Sequence, residues 1–322
     1  MYFNIIRTLF SLKKQSDYPM YSMTYYGDYY FDEFLTKGMT KDEDLISFIQ
    51  NRLTKKLALN ISKGGCTAFL AKDENGELLY GRNYDFPTTP FLLVKTKPLN
   101  GYASISIVDM MALGYAKDNL PSGFSKKLPL LAAPYLPFDG LNEKGLAVSI
   151  LQVPETKLPY DQHKVTLNTT TVIRLMLDKA ATVEEVIALV EKYNVYFSIG
   201  IYCHYFIADQ QGRTVILEFY DGKMHVIEDD VASNFYACSG VILEEEHETP
   251  DPNQRYRMAK EALVKRNHLL SMEEAGELLC DLGIYYKGDN ILQWSVVYNL
   301  TSLWGMVFSG RKLSEPYYFH VK

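Results

Sequence analysis

The sequence predicts an α+β fold in which antiparallel sheets pack on one another with helices outside. Three features lead there. Short apolar runs separated by turn signals recur in hairpin rhythm, first over residues 67–80 and again over 204–228. Between those blocks helix-period segments come in pairs instead of alternating singly with strands, which separates this chain from a doubly wound one. Finally, 322 residues of which 47 % are apolar, with no Pro/Gly/Ser-rich linker, can bury a large core as one layered unit.

The elements follow in order. Met1–Phe10 is apolar but broken by Arg7 and lacks a small-residue cleavage site, so it is a poor signal peptide and far too short to span a membrane. Over Asp42–Leu59, Leu45, Ile49, Leu53 and Leu57 fall at four-residue spacing, the mark of an amphipathic helix running into Gly64-Gly65. Thr67–Ala71 and Glu77–Tyr80 then form a hairpin about Asn75-Gly76, a strong two-residue turn signal. If those two residues are the turn, facing positions sum to 151, so Cys66 faces Asp85 with Cβ atoms about 4.5–5.5 Å apart. By the same count Arg82 faces Phe69 and points away, unless a bulge at Gly81 turns it round.

Strand-like runs continue at Phe91–Lys95, Tyr102–Val108 and Leu146–Leu151, the last behind a turn-like Asp139–Gly145. A helix is expected over Thr170–Ala180, and a second opens at Thr182 with Glu185 at capping-box spacing. Strands return at His204–Ala208, Thr214–Tyr220 and Lys223–Glu228. A helix pair is expected at Arg255–Lys265 and Met272–Leu282, and strands close the chain at Trp294–Asn299, Gly305–Ser309 and Tyr317–Val321.

Composition narrows the function classes. A net charge of −6 and a pI near 5.6 argue against a nucleic-acid partner read through a basic face. Cys66, Cys203, Cys238 and Cys280 show neither C-x-x-C spacing nor the density of a disulfide scaffold, so no metal is expected and a reducing, cytoplasmic compartment fits. Asn142 suits the turn it sits in, Arg257 a surface or ion-pair role, and His204, between apolar neighbours, a satisfied core position. Glu244–Glu248 reads as a solvated loop, and most of the aromatic residues as core.

Cys66 carries the sharper question. Free cysteine is usually a small buried hydrophobe. Yet Gly64-Gly65 before it permits strained backbone, Asp85 is expected opposite, and Arg82, if turned, would lower the thiol pKa. No histidine lies near in sequence to act as base. Cutting the Gly65–Cys66 bond would supply one, because a terminal α-amine has a pKa of about 7.7–8.0 and could take the thiol proton. Asp85 would then orient that amine.

Cys66, Arg82 and Asp85, with the run Leu79-Tyr80-Gly81-Arg82-Asn83-Tyr84-Asp85, resemble the choloylglycine hydrolase family of N-terminal-nucleophile hydrolases, which includes bile salt hydrolases, penicillin V acylases and acid-ceramidase-like amidases. Asn142-Glu143-Lys144-Gly145-Leu146 is similar to that family's N-E-K-G-L turn. Val231-Ala232-Ser233-Asn234 resembles its oxyanion-hole segment, Arg255-Tyr256-Arg257-Met258-Ala259 its R-F-x-R-V-A segment, and Gln293–Asn299 its closing strand. Gln152 stands where bile salt hydrolases carry Asn and penicillin V acylases often Tyr, a departure that bears on substrate preference.

The resemblance covers 66–322 and implies a four-layer αββα sandwich and cleavage of the C–N bond in a linear N-acyl amide through a thioester. It implies Cys66, Arg82, Asp85, Asn234 and Arg255 as catalytic residues, Gln152 and Asn234 as the oxyanion or substrate contacts, and no cofactor. Residues 1–65 are implied to be either a propeptide removed at Gly65–Cys66 or a helical cover. The expected partner is a small-molecule N-acyl amide, fatty or small acyl groups ranking above bile salts, and a homo-oligomer is compatible. An acyltransferase of the isopenicillin-N type and an unprocessed binder without turnover are the alternatives.

Overall fold

The computed structural model describes residues 2–17, 19–55, 57, 65–86, 89–241, 251–286 and 289–322. Two large sheets face each other. From edge to edge the nine-stranded sheet runs Lys13–Lys14, Met20–Thr24, Phe91–Thr96, Ser104–Asp109, Asp139–Asn142, Ala147–Gln152, Cys203–Ala208, Thr214–Tyr220 and Lys223–Glu228. The six-stranded sheet runs Val231–Ala232, Gly65–Lys72, Leu78–Asp85, Leu292–Asn299, Trp304–Ser309 and Tyr317–His320. Within both sheets every pairing is antiparallel except Met20–Thr24 with Phe91–Thr96.

Helices Thr169–Lys179 and Val183–Val190 pack on the larger sheet, and Pro252–Lys265 and Met272–Leu282 on the smaller, giving the expected four layers. Alternation along the strands explains the two-sided burial. Ala68, Leu70, Tyr80, Tyr84, Val296 and Tyr298 join the core between the sheets, whereas Phe69, Ala71, Leu79 and Val297 join the core under the outer helices.

The hairpin corrects the expected register. Cys66 lies opposite Tyr84, not Asp85; Gly65 faces Asp85, and Ala68 faces Arg82. The turn has three residues, Glu74-Asn75-Gly76, because the Asp73 carboxylate accepts from Asn75 N at 2.9 Å and Glu77 N at 2.8 Å while Gly76 takes the left-handed conformation, φ +81°. A one-residue slip exchanges the faces of a strand. Arg82 therefore lies on the Cys66 side with no bulge, and Gly81 has another purpose: a Cβ there would collide with the ring of Phe69 opposite. The irregularity lies instead across the sheet, between Leu292 and Trp294.

The helix expected to reach Leu59 spans Asp42–Arg52, with Leu53 closing it through its N–H to Ile49 O at 2.8 Å; residues 58–59 lie outside the described residues. Asp139–Asn142, read as part of a turn, is a strand, and the turn follows it. Glu244–Glu248 also lies outside the described residues.

The described residues between 2 and 57 are woven into the sandwich. Met20–Thr24 extends the large sheet, and the Tyr29 hydroxyl donates to Asp178 Oδ2 at 2.6 Å while Tyr135 donates to Tyr29 O at 2.6 Å. Phe34 packs edge-on against Phe48 and Tyr135, at 5.2 and 5.6 Å between ring centroids.

Candidate active site

Cys66 is the second residue of its strand and is buried, 3 % exposed. Its amide donates to Asn234 Oδ1 at 2.7 Å. That asparagine sits just past the short Val231–Ala232 strand, which pairs with Phe69 and Ala68 and so holds Asn234 beside the start of the Cys66 strand. Asn234 Nδ2 donates in turn to Gln152 O at 2.7 Å, which ties the two sheets together at this point.

Arg255 completes this side. It is carried by the Pro252–Lys265 helix, whose first turn is capped by Asp251 accepting from Gln254 N at 2.7 Å. Its guanidinium reaches Cys66 O at 2.5 Å, Thr67 Oγ1 at 2.6 Å and Asn234 Oδ1 at 2.9 Å. One buried cation thus fixes both the backbone of the cysteine and the asparagine that holds its nitrogen.

Arg82 serves the sulfur. Its Nη2 lies 3.8 Å from Cys66 Sγ and 3.0 Å from Ile150 O, while Nε lies 3.2 Å from Asp139 Oδ2. The guanidinium also covers the rings of Tyr84 and Trp294, at 4.8 and 5.4 Å. Asp139 accepts from Trp294 Nε1 at 3.0 Å and the Tyr298 hydroxyl at 2.6 Å; burial pushes its carboxyl pKa up and Arg82 opposes that. Asp139 escaped the sequence reading because an aspartate before glycine looks like a turn residue. Thr67 and Trp294 were missed as site neighbours as well: Trp294 falls in the Gln293–Asn299 segment without standing out from it, and no motif in the sequence marks Thr67.

Burial pushes the Cys66 thiol up to about 11; Arg82 pulls it down, Asp85 pushes it up, and Arg255 and a backbone hydrogen bond from Gln152 pull it down. With the Gly65–Cys66 bond intact the thiol is therefore protonated near neutrality, and its neighbouring nitrogen is an amide that cannot accept a proton.

Asp85 takes a different place from the one expected. Opposite Gly65 and Leu292, its Oδ1 accepts from Ile284 N at 2.9 Å. The contact of the Cys66 nitrogen is with Asn234. Of the other expected residues, Cys66, Arg82, Asn234, Arg255 and the Gln152 backbone converge directly.

Beside the sulfur is a cavity of about 40 Å³ whose wall includes Tyr84, Phe138, Ile150, Gln152 and Cys203. The wall is largely apolar. His204, on the same strand as Cys203, is a core residue as expected: its Nδ1 lies 3.0 Å from Glu218 Oε1. Among the described residues no group of three His, Cys, Asp or Glu side chains could hold a metal, and no helix is long and apolar enough to cross a membrane.

Residues 66–235, more than half of the chain, match the profile of the linear amide C–N hydrolases, choloylglycine hydrolase family. The chain belongs to that family. No curated protein sequence matches it. Among solved structures, a variant of the conjugated bile acid hydrolase of Clostridium perfringens superposes with a TM-score of 0.57 at 16 % identity, covering 79 % of this chain and 92 % of that one. The penicillin V acylase of Agrobacterium tumefaciens gives 0.55 at 18 % identity, covering 76 % and 83 %. Both share the N-terminal-nucleophile hydrolase fold of this choloylglycine hydrolase family member.

Proposed function

We propose that this protein is a cysteine N-terminal-nucleophile amidohydrolase that cuts its own Gly65–Cys66 bond and then hydrolyses linear N-acyl amides through a thioester on Cys66. The observation that carries the reading is the pairing of contacts at one residue: Asn234 and Arg255 grip the nitrogen and carbonyl of Cys66, while Arg82 faces its sulfur. The family match, which begins at residue 66, agrees with it.

In the self-cleavage step the Cys66 thiol first gives its proton to solvent, the thiolate attacks the Gly65 carbonyl carbon, the Gly65–Cys66 C–N bond breaks, and a water molecule protonates the departing nitrogen. Water then hydrolyses the Gly65 thioester, leaving a carboxylate on Gly65 and a free thiol and amine on Cys66. In turnover the amine takes the thiol proton, the thiolate attacks the substrate carbonyl, and the ammonium returns the proton to the leaving amine. Water, deprotonated by the same amine, releases the acyl group as a carboxylic acid. Asn234 and the Gln152 backbone supply the dipoles for the oxyanion, Arg82 favours the thiolate, Asp85 lends negative charge near the new ammonium, and Arg255 holds the carbonyl of Cys66 in register. Asn234 keeps the new amine beside the sulfur.

The apolar wall suits an alkyl or aryl acyl group, and Gln152, standing where bile salt hydrolases carry Asn, supports ranking fatty or small N-acyl amides above conjugated bile salts. Conjugated bile salts turned over faster than fatty or small N-acyl amides in a substrate panel would reverse that ranking.

The test is N-terminal sequencing and intact mass of active protein. The expected result is a chain beginning at Cys66, absent in Cys66→Ala, which should also lose all amidase activity. Because the uncut thiol sits near 11, cleavage should accelerate about tenfold per pH unit between 7 and 9. Full activity from a chain whose only N-terminus is Met1 would sink the self-cleavage reading. Cleavage without turnover on any N-acyl amide would sink the amidase reading.

A further inference from the structure

The surface around the first helix, Tyr2–Phe10, is unlike the rest of the molecule. This helix has apolar residues on both faces. Thr8 and Leu9 are fully buried against the body, with Tyr26 N donating to Thr8 Oγ1 at 2.9 Å. On the other side Tyr2, Phe3 and Phe10 stand 81 %, 71 % and 73 % exposed, and Ile6 lies between them. A surface helix ordinarily turns charged residues outward; here the outward face is aromatic and aliphatic.

The patch extends beyond the helix. Leu99, 81 % exposed, lines the same shallow pocket as Asn4 and Ile5 of the helix. Phe124, also exposed, lies on the Phe124–Lys127 turn, whose Lys127 Nζ reaches Leu9 O at 3.4 Å.

Charge around the patch is mainly basic, with Asp17 and Asp28 as acidic exceptions. Residues 1–16 hold Arg7, Lys13 and Lys14 and no acidic residue, in a chain whose net charge is −6. Lys126 and Lys127 add to the rim from the neighbouring turn. Arg7 lies flat over Tyr26, its guanidinium 4.0 Å from the ring. Lys14 makes a 3.5 Å contact with Asp17, both side chains well exposed.

We infer that this face docks on an anionic lipid bilayer, the aromatic and aliphatic side chains entering the headgroup boundary and the basic rim meeting lipid phosphates. Exposed apolar residues on a short helix, bounded by lysines, are what an interfacial anchor requires. A second copy of the chain fits less well. A two-fold contact through this face would press the same basic rim against itself, whereas an anionic surface complements it. The inference stands apart from the proposed chemistry, since docking needs neither Cys66 nor the cut before it.

The experiment is sedimentation of the full chain with vesicles of phosphatidylcholine containing phosphatidylglycerol, against vesicles of phosphatidylcholine alone. Binding should be strong on the first, weak on the second, and weakened by salt. Lys13→Gln/Lys14→Gln should lose about fivefold per lysine removed. Phe3→Ser/Phe10→Ser should lose about a hundredfold, with unchanged circular dichroism and melting because both side chains are solvent-facing. The inference is overturned if the native chain binds both vesicles equally or neither. It is also overturned if both variants bind as the native chain does, or if light scattering without lipid shows a dimer that only the Phe variant dissociates. Should the Phe variant fail to fold, the salt and lipid dependence of the native chain and the lysine variant decide.

Discussion

At the scale of single residues, Arg82 has two partners that draw on one charge. Cys66 wants its positive charge to favour a thiolate, and Asp139, buried under Trp294 and Tyr298, wants the same charge as a counterion. From the sequence alone, Arg82→Gln is expected to change rate and not folding. The structure argues otherwise. Stranding a fully buried carboxylate costs about 3–5 kcal/mol, so the single variant should melt well below the native protein. Arg82→Gln/Asp139→Asn removes both charges and should recover much of that loss. Catalysis should not recover with stability: in both variants the thiol has lost a cation that lowered its pKa, so the acid limb of the activity profile moves to higher pH. An unmoved acid limb in the stable double variant would remove Arg82 from the thiolate role. A single variant as stable as the native chain would show that Asp139 needs no counterion.

At the scale of elements, the site depends on a turn held from behind. Past Asn234, Glu218 accepts from Ala237 N at 2.8 Å and Cys238 N at 3.0 Å, and His204 braces that carboxylate, while the Tyr236 hydroxyl donates to Pro154 O at 3.0 Å. Glu218→Ala should therefore free the turn bearing Asn234, slowing Gly65–Cys66 cleavage at least tenfold, with Glu218→Gln, which keeps one acceptor, in between. Equal cleavage rates in all three would mean that Asn234 is held by Arg255 and Gln152 alone. None of this was legible in advance, because Glu218 and His204 lie on separate strands and look like core alternation. What was legible followed local rules: Thr182 caps its helix by accepting from Glu185 N, and Thr214–Tyr220 and Met272–Leu282 fall where periodicity put them. The hairpin shows the limit. Asn75-Gly76 correctly marked the turn, but whether it held two residues or three depended on the Asp73 carboxylate, and that one residue decided which face Arg82 took. The first forty residues read weakly because Met20–Thr24 is a strand only by virtue of a partner seventy residues on.

At the scale of the whole molecule, the lead segment is built as part of the body, whatever happens at Gly65–Cys66. Met20–Thr24 covers the edge of Phe91–Thr96, a strand with no charge on its buried residues, and without it that edge would offer unpaired N–H and C=O groups to other chains. Tyr29, Phe31, Phe34 and Leu45 are all buried, each worth roughly 1.5–3 kcal/mol of apolar burial, and the Tyr29 hydroxyl feeds a buried network in which Arg174 also holds Asp178 at 3.0 Å. Cutting one peptide bond removes none of these contacts. The expected product is thus a two-piece protein: denaturing electrophoresis should show two fragments while native mass spectrometry keeps the mass of the uncut chain plus one water. A chain expressed from Cys66 onward, lacking the strand and the aromatic cluster, should aggregate or fail to fold, and co-expression of residues 1–65 should rescue it. If the piece from Cys66 onward folds alone, with the melting temperature of the two-piece form, the lead segment is a removable cover and its strand contributes nothing that the catalytic body needs.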